Sequence, residues 1–170
     1  EKPADPPTDL ANLGLYRFTP EIFEYIEHTG RSERGEYELT DAIELQLEDG
    51  VTAVEYNGPW LDIGRPWELL KANSCLLDNL DHGISGKVES GATLRGPVVV
   101  EEGARVRDGA YIEGPVRIQT GADVGPNSYV RGATVIGPDV RVGNAVEVKN
   151  SILMTGTAVS HHSYVGDSVL

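Results

Sequence analysis

From Val88 onward every sixth residue is aliphatic: Val88, Leu94, Val100, Val106, Ile112, Ile118, Val124, Val130, Ile136, Val142, Val148 and Met154. Four residues after each anchor stands a small or β-branched residue, as at Ala92, Val98, Ala104, Ala110, Val116, Ala122, Ser128, Thr134, Val140 and Val146. Between the two comes a residue that makes corners, such as Gly91, Pro97, Gly103, Gly109, Pro115, Gly121, Asn127 or Asp139. A six-residue period matches neither the 3.6 of a helix nor the alternation of a hairpin. It predicts a parallel β-helix of hexapeptide repeats over residues 84–170, each repeat one short face and three faces one coil. The anchor fills the axis, and glycine or asparagine supplies corner conformations that other residues resist. The phase breaks once, since Val165 follows Met154 by eleven residues rather than twelve. That predicts a buckled stretch at Ser160-His161-His162-Ser163-Tyr164.

Before residue 84 the pattern changes. A proline-rich opening (Pro3, Pro6, Pro7) leads to an extended Leu13–Phe18. Thr19 caps a helix with Pro20 at its first position, Ile22, Phe23 and Ile26 as its buried stripe, and Gly30 at its end. A second helix is predicted over Leu39–Leu47 and a strand over Val51–Tyr56, turning at Gly58-Pro59 into an apolar strand at Trp60–Ile63. Pro66 opens the longest helix, with Trp67, Leu70 and Leu77 on one side, and it frays between Asn79 and Gly83. Residues 1–83 therefore read as an α/β domain and 84–170 as the coil. Two or three strands are too few for an independent core with a parallel sheet, so further strands are expected upstream. The chain also opens at Glu1 without a methionine and stops at Leu170 within a repeat. Both features predict a piece of something longer.

Composition narrows the partners. Lys and Arg total 14 against 27 Asp and Glu, a formal charge of −13, so the overall field repels nucleic acid and anionic membranes. Such a surface also suits a high-salt cytoplasm. One cysteine, Cys75, rules out an intramolecular disulfide framework and fits a reducing compartment. No apolar run approaches a membrane span and no secretory leader opens the chain, so a soluble cytoplasmic protein is expected.

Three places carry candidate chemistry. Asp62 lies between Leu61 and Ile63, where a carboxylate needs a partner or a metal; it either binds Mg²⁺ together with substrate phosphates, or caps the Pro66 helix or pairs with Arg65. In the coil, residues eighteen apart stack, and one outward column reads Arg95, Glu113, Arg131, Lys149. Glu113 can neutralise Arg95 and Arg131, giving a solvated charged face. Arg131 beneath Lys149 is nevertheless a like-charged neighbour pair, unfavourable unless an anion such as phosphate sits against it. Finally, His161, His162 and Tyr164 at the predicted buckle suit proton transfer near neutral pH, zinc binding, or no function beyond a polar surface.

Four short stretches of residues 1–80 resemble the C-terminal part of sugar-1-phosphate nucleotidylyltransferases: Glu1-Lys2-Pro3, Asn12-Leu13-Gly14, Gly35-Glu36-Tyr37-Glu38-Leu39-Thr40-Asp41 and Trp60-Leu61-Asp62-Ile63-Gly64. The resemblance implies sugar-hydroxyl contacts for Glu1 and Asn12, a phosphate contact for Lys2 and a Mg²⁺ ligand at Asp62. The family's glycine-rich loop for a nucleoside triphosphate has no counterpart in these residues. From residue 84, Arg131, then Glu147-Val148-Lys149-Asn150-Ser151, then His161-His162-Ser163-Tyr164-Val165-Gly166-Asp167-Ser168 is similar to the acetyltransferase domain of the GlmU family and its archaeal sugar-phosphate relatives. That likeness implies a left-handed parallel β-helix and transfer of acetyl from acetyl-CoA to an amino sugar 1-phosphate. It further implies His161 as general base, Tyr164 as substrate contact, Arg131 and Lys149 as phosphate clamp, and His162 as packing. A homotrimer through the coil is expected, with sites at the seams between chains. The rival expectation is a nucleotidylyltransferase whose coil serves only to oligomerise or regulate.

Overall fold

The structure, a computed structural model, describes residues 8–170. The chain forms two compact units, one reaching Trp60 and one running Leu61–Leu170.

In the first unit α1 (Ile22–His28) packs on α2 (Leu39–Leu45), which runs on into a 3₁₀ turn at Gln46–Asp49. The helix positions agree with the sequence, but the predicted stripe does not. Ile22 is buried, whereas Phe23 is 66% exposed and Ile26 also lies open. Among the described residues α1 packs chiefly on α2, and such a neighbour covers one edge of an apolar stripe. Val51–Tyr56 and Trp60–Ile63 form no strand. Alternation makes a strand only where another backbone takes its hydrogen bonds, and none does so among the described residues.

The second unit begins with α3 (Pro66–Leu77), which has proline in its first turn and no side-chain cap. Asn73 and Leu77 are buried, but Trp67 is exposed, with the Arg65 guanidinium 5.3 Å from its ring centroid. The hexads then wind into a parallel β-helix with three faces of five short strands each. The first face consists of Gly83–Ile84, Val98–Val100, Val116–Ile118, Thr134–Ile136 and Ile152–Leu153. The second comprises Lys87–Val88, Arg105–Val106, Asp123–Val124, Arg141–Val142 and Ala158–Val159. The third comprises Thr93–Arg95, Tyr111–Glu113, Tyr129–Arg131, Glu147–Lys149 and Tyr164–Gly166. Every anchor from Val100 to Val148 is buried on the axis, with Val98, Ala104, Ala110, Val116, Ala122, Val140 and Val146 beside it. The core is thus a continuous column one side chain thick.

The phase break lies elsewhere than predicted. Lys149 pairs in register with Arg131, eighteen residues back, but Ile152 pairs with Val135, only seventeen back. One corner residue is therefore missing between Lys149 and Ile152. The axial anchor of that repeat is Leu153, fully buried, while Met154 is 50% exposed. Ser160–Tyr164 is an ordinary corner, with Val148 and Val165 in register on either side of it. The Ile152-Leu153-Met154 run conceals the slip, because any of its three residues suits an apolar axis.

The short corner has a consequence for α3. One coil below, the Thr134 N–H is shared between the Gly132 carbonyl at 2.7 Å and the Pro115 carbonyl at 3.3 Å, and the inter-coil acceptor equivalent to Pro115 for Ser151 would be the Ala133 carbonyl. Instead Ala133 accepts from Asn73 Nδ2 at 2.8 Å. The helix is thereby tied to the coil at the point where the repeat is one residue short.

Candidate functional site

On the third face Arg95, Glu113, Arg131 and Lys149 stand one above another, each in register with the next. The parallel column Thr93, Tyr111, Tyr129, Glu147, Tyr164 runs beside it. Arg131 and Lys149 are therefore neighbours on one face, as the spacing predicted. Their neutralisation is different. Glu113 is engaged by the Tyr129 hydroxyl, and Arg131 bonds diagonally to Glu147, with both Nε and a terminal nitrogen 2.9 Å from Oε1. The same stagger recurs down the coil at Arg105–Glu89, Arg107–Asp123 and Arg117–Glu101. Lys149 is held more loosely, 3.7 Å from Asp167. Hydrogen bonding from Asn150, then the Lys149 charge, keeps the Asp167 carboxyl below the usual range. The hydrogen bond to Glu113 pushes the Tyr129 phenol up.

The aromatic residues frame this cation pair. The Arg131 guanidinium lies 5.4 Å from the Tyr129 ring centroid, and Tyr129 meets Tyr111 edge-on at 5.6 Å. Tyr164 is open to solvent above Glu147. The face thus presents two half-buried cations in register on neighbouring strands, one of them beside an aromatic ring. Such a surface suits a phosphate carried on a ring.

His161 occupies the corner that leads into Tyr164–Gly166. Its ring lies over Gly143, where a Cβ would stand 2.7 Å from Nδ1, so a glycine is required beneath it. The Asn144 N–H donates to His161 Nδ1 at 2.6 Å. In the neutral ring so placed, the proton sits on Nε2. His162 has φ +57°, the corner conformation also taken by Ala145 and Asn127, and it is exposed. It is a turn residue rather than the packing residue expected. No cluster of three His, Cys, Asp or Glu side chains is assembled among the described residues, so the zinc alternative finds no further ligand.

In the first unit Asn12 closes a local turn. Its Oδ1 accepts the Gly14 N–H at 2.9 Å, and its Nδ2 donates to the Tyr16 hydroxyl at 2.6 Å. Glu1 and Lys2 lie outside the described residues. Asp62, in the second unit, is exposed in an irregular stretch and has no hydrogen-bond or ion-pair partner among the described residues. It neither caps α3 nor pairs with Arg65. An exposed carboxylate of this kind is a group that could serve as one ligand of a Mg²⁺ ion that also takes substrate phosphate.

Three residues at the coil site carry no role in the sequence reading: Glu147, which orients Arg131, and Gly143 with Asn144, which seat His161. The stacked glycines Gly125 and Gly143, directly beneath a corner histidine, were the available signal.

A segment of nucleotidyl-transferase type joined to a hexapeptide β-helix is the class that these features define. Residues 1–79 match the nucleotidyl transferase family, and residues 112–170 match the GMPPB C-terminal domain family. Along its whole length the chain is similar to archaeal GlmU-type proteins. It is 53% identical to the bifunctional protein GlmU of Methanocaldococcus jannaschii, with all of this chain and 42% of that protein aligned. It is 46% identical to the bifunctional sugar-1-phosphate nucleotidylyltransferase/acetyltransferase of Sulfurisphaera tokodaii, covering all of this chain and 43% of that one. The chain thus spans less than half the length of these curated relatives. Among solved structures it is similar to a perosamine N-acetyltransferase from Caulobacter crescentus in complex with CoA and GDP-perosamine, at 23% identity and a TM-score of 0.41, over 54% of this chain and 48% of that one.

Proposed function

We propose that the coil is the acetyltransferase part of a bifunctional enzyme that acetylates an amino sugar 1-phosphate and couples the product to a nucleotide. The observation that carries this reading is the Arg131–Lys149 pair, stacked on one face beside Tyr129 and Tyr164. The sugar phosphate sits against the two cations, with Tyr164 against the sugar. Arg131 keeps its bond to Glu147 and offers its remaining N–H groups, while Lys149 exchanges its loose contact with Asp167 for the phosphate.

His161 takes the proton from the sugar amine. Because Nδ1 accepts from Asn144 in the resting ring and Nε2 carries the proton, the imidazole must turn off that N–H before it can act as base, directly or through water. The neutral amine then forms a bond to the acetyl carbonyl carbon of acetyl-CoA. The carbon–sulfur bond breaks, the new amide nitrogen gives up its second proton to solvent, and the proton held by His161 goes to the departing thiolate. A homotrimer joined through its coils would supply the second wall of the site. Functionally the chain divides near residue 83, and residues 1–83 contribute to a sugar-1-phosphate nucleotidylyltransferase site. There Glu1 and Asn12 contact the sugar, Lys2 the phosphate, and Asp62 a Mg²⁺ ion that screens the charge of the nucleoside triphosphate.

The test is acetyl-CoA-dependent thiol release with glucosamine 1-phosphate, using the chain extended to the length of its relatives. His161→Ala should lower the rate by about a hundredfold or more. An unchanged rate would remove the coil from catalysis and leave it an oligomerisation module.

A further inference from the structure

One inward column of the coil changes chemistry partway up. In the lower coils it is Val98 and Val116, both fully buried. From there it becomes Thr134, Ser151 and Ser168, the first two also fully buried. The change to hydroxyls coincides with the missing corner residue. Below it, backbone serves backbone: the Val116 N–H bonds to the Pro97 carbonyl at 3.1 Å. Above it, with the Ala133 carbonyl given to Asn73, the Ser151 N–H bonds to Thr134 Oγ1 at 3.3 Å. The Ser168 N–H likewise bonds to Ser151 Oγ at 3.2 Å. Each hydroxyl also donates: Thr134 to the Arg131 carbonyl, Ser151 to the Lys149 carbonyl and Ser168 to the Gly166 carbonyl, each at 2.7 Å.

We propose that Thr134 and Ser151, continued by Ser168, form a positioning column for the cation pair. A valine in the column has no group to offer a corner that is one residue short. A hydroxyl there replaces the lost acceptor and also holds the carbonyl of the strand end from which a cation departs. Arg131 and Lys149 are thus kept at the spacing of neighbouring coils while their like charges push them apart. Phosphate then meets a preset pair and need not gather two mobile side chains. The proposal rests on the reading of Arg131 and Lys149 as a phosphate clamp, and its test separates the two.

Thr134→Val places in the column the residue that the lower coils already carry, so the fold should hold. Calorimetric titration of the full chain with glucosamine 1-phosphate should show affinity weakened about three- to tenfold, the worth of one well-placed hydrogen bond. Thr134→Ser should restore it. In a Lys149→Ala background Thr134→Val should add little, whereas an unspecific loss of structure would lower affinity by the same factor in either background. Ser151→Ala repeats the test from the Lys149 side if Thr134→Val fails to fold. Wild-type affinity in a folded Thr134→Val or Ser151→Ala chain, with Lys149→Ala still weakened, overturns the column and leaves the clamp standing. Unchanged affinity in Arg131→Ala and Lys149→Ala as well overturns the clamp, and the column's role falls with it.

Discussion

The unit reaching Trp60 and the coil that ends the chain handle apolar residues in opposite ways. In the coil, each strand finds its partner one turn away, so axial anchors from Val100 to Leu153 are closed off from water. In the first unit, among the described residues, Ile22 and Ala42 are buried while Phe18, Phe23, Ile26, Leu39 and Leu47 stay open. The two regions do not differ in hydrophobic supply. They differ in where the partner comes from. A repeat carries its own partner in the next repeat, whereas a stripe on an isolated helix needs an element that its own sequence does not specify.

The sharpest way to break that comparison is to cut equivalent side chains in both regions. Ile112→Ala should destabilise the coil by about 2–5 kcal/mol, because a one-residue-thick core cannot close over the cavity. Phe23→Ala should stay within about 0.5 kcal/mol of no effect. Urea unfolding checks both, and equal costs would mean that the first unit's exposed face is as well packed as the axis.

A smaller effect tests the tie between α3 and the shortened corner. Asn73→Ala removes the donor from the half-buried Ala133 carbonyl and should cost about 1 kcal/mol. Inserting one residue between Asn150 and Ser151 restores the longer corner, so the same substitution in that background should cost less. A cost unchanged by the insertion would separate the helix contact from the missing residue.

The smallest expected effect concerns the diagonal ion pairs, which decorate the coil without building it. Hydrogen bonds from arginine hold Glu89 and Asp123 below the usual carboxylate range, and the hydrogen bond from Asn150 does so for Asp167. A depressed folded-state value gives stability that is complete above the unfolded value of about 4 and fades as pH falls through the folded one. The melting temperature should therefore be flat from neutral pH to about 5 and decline only below that. A loss beginning near pH 6 would instead point to a histidine.

The coil and its cation stack were legible in the residues because period and stacking are the same fact: Arg131 and Lys149 are eighteen apart, and eighteen residues make a full turn. The position of the slip was not legible. Ile152, Leu153 and Met154 all satisfy an apolar axis, and only the pairing of Ile152 with Val135 decides among them. The buckle assigned to His161 thus belongs just after Lys149, and His161 owes its place to Gly143 and Asn144 instead. The strand expected at Val51–Tyr56 failed for a related reason, since alternation records a preference but not a partner.

Sequence by itself determined the repeat, its axis and which cations share a face, because each of these depends on spacing along one chain. Tertiary structure alone decided which carboxylate holds Arg131, where the coil loses a residue, that α3 fills the carbonyl so released, and which His161 nitrogen is engaged. Those outcomes turn on hydrogen bonds between residues sixteen or more positions apart, competing within a few tenths of an ångström, and no one-dimensional pattern ranks such competitors.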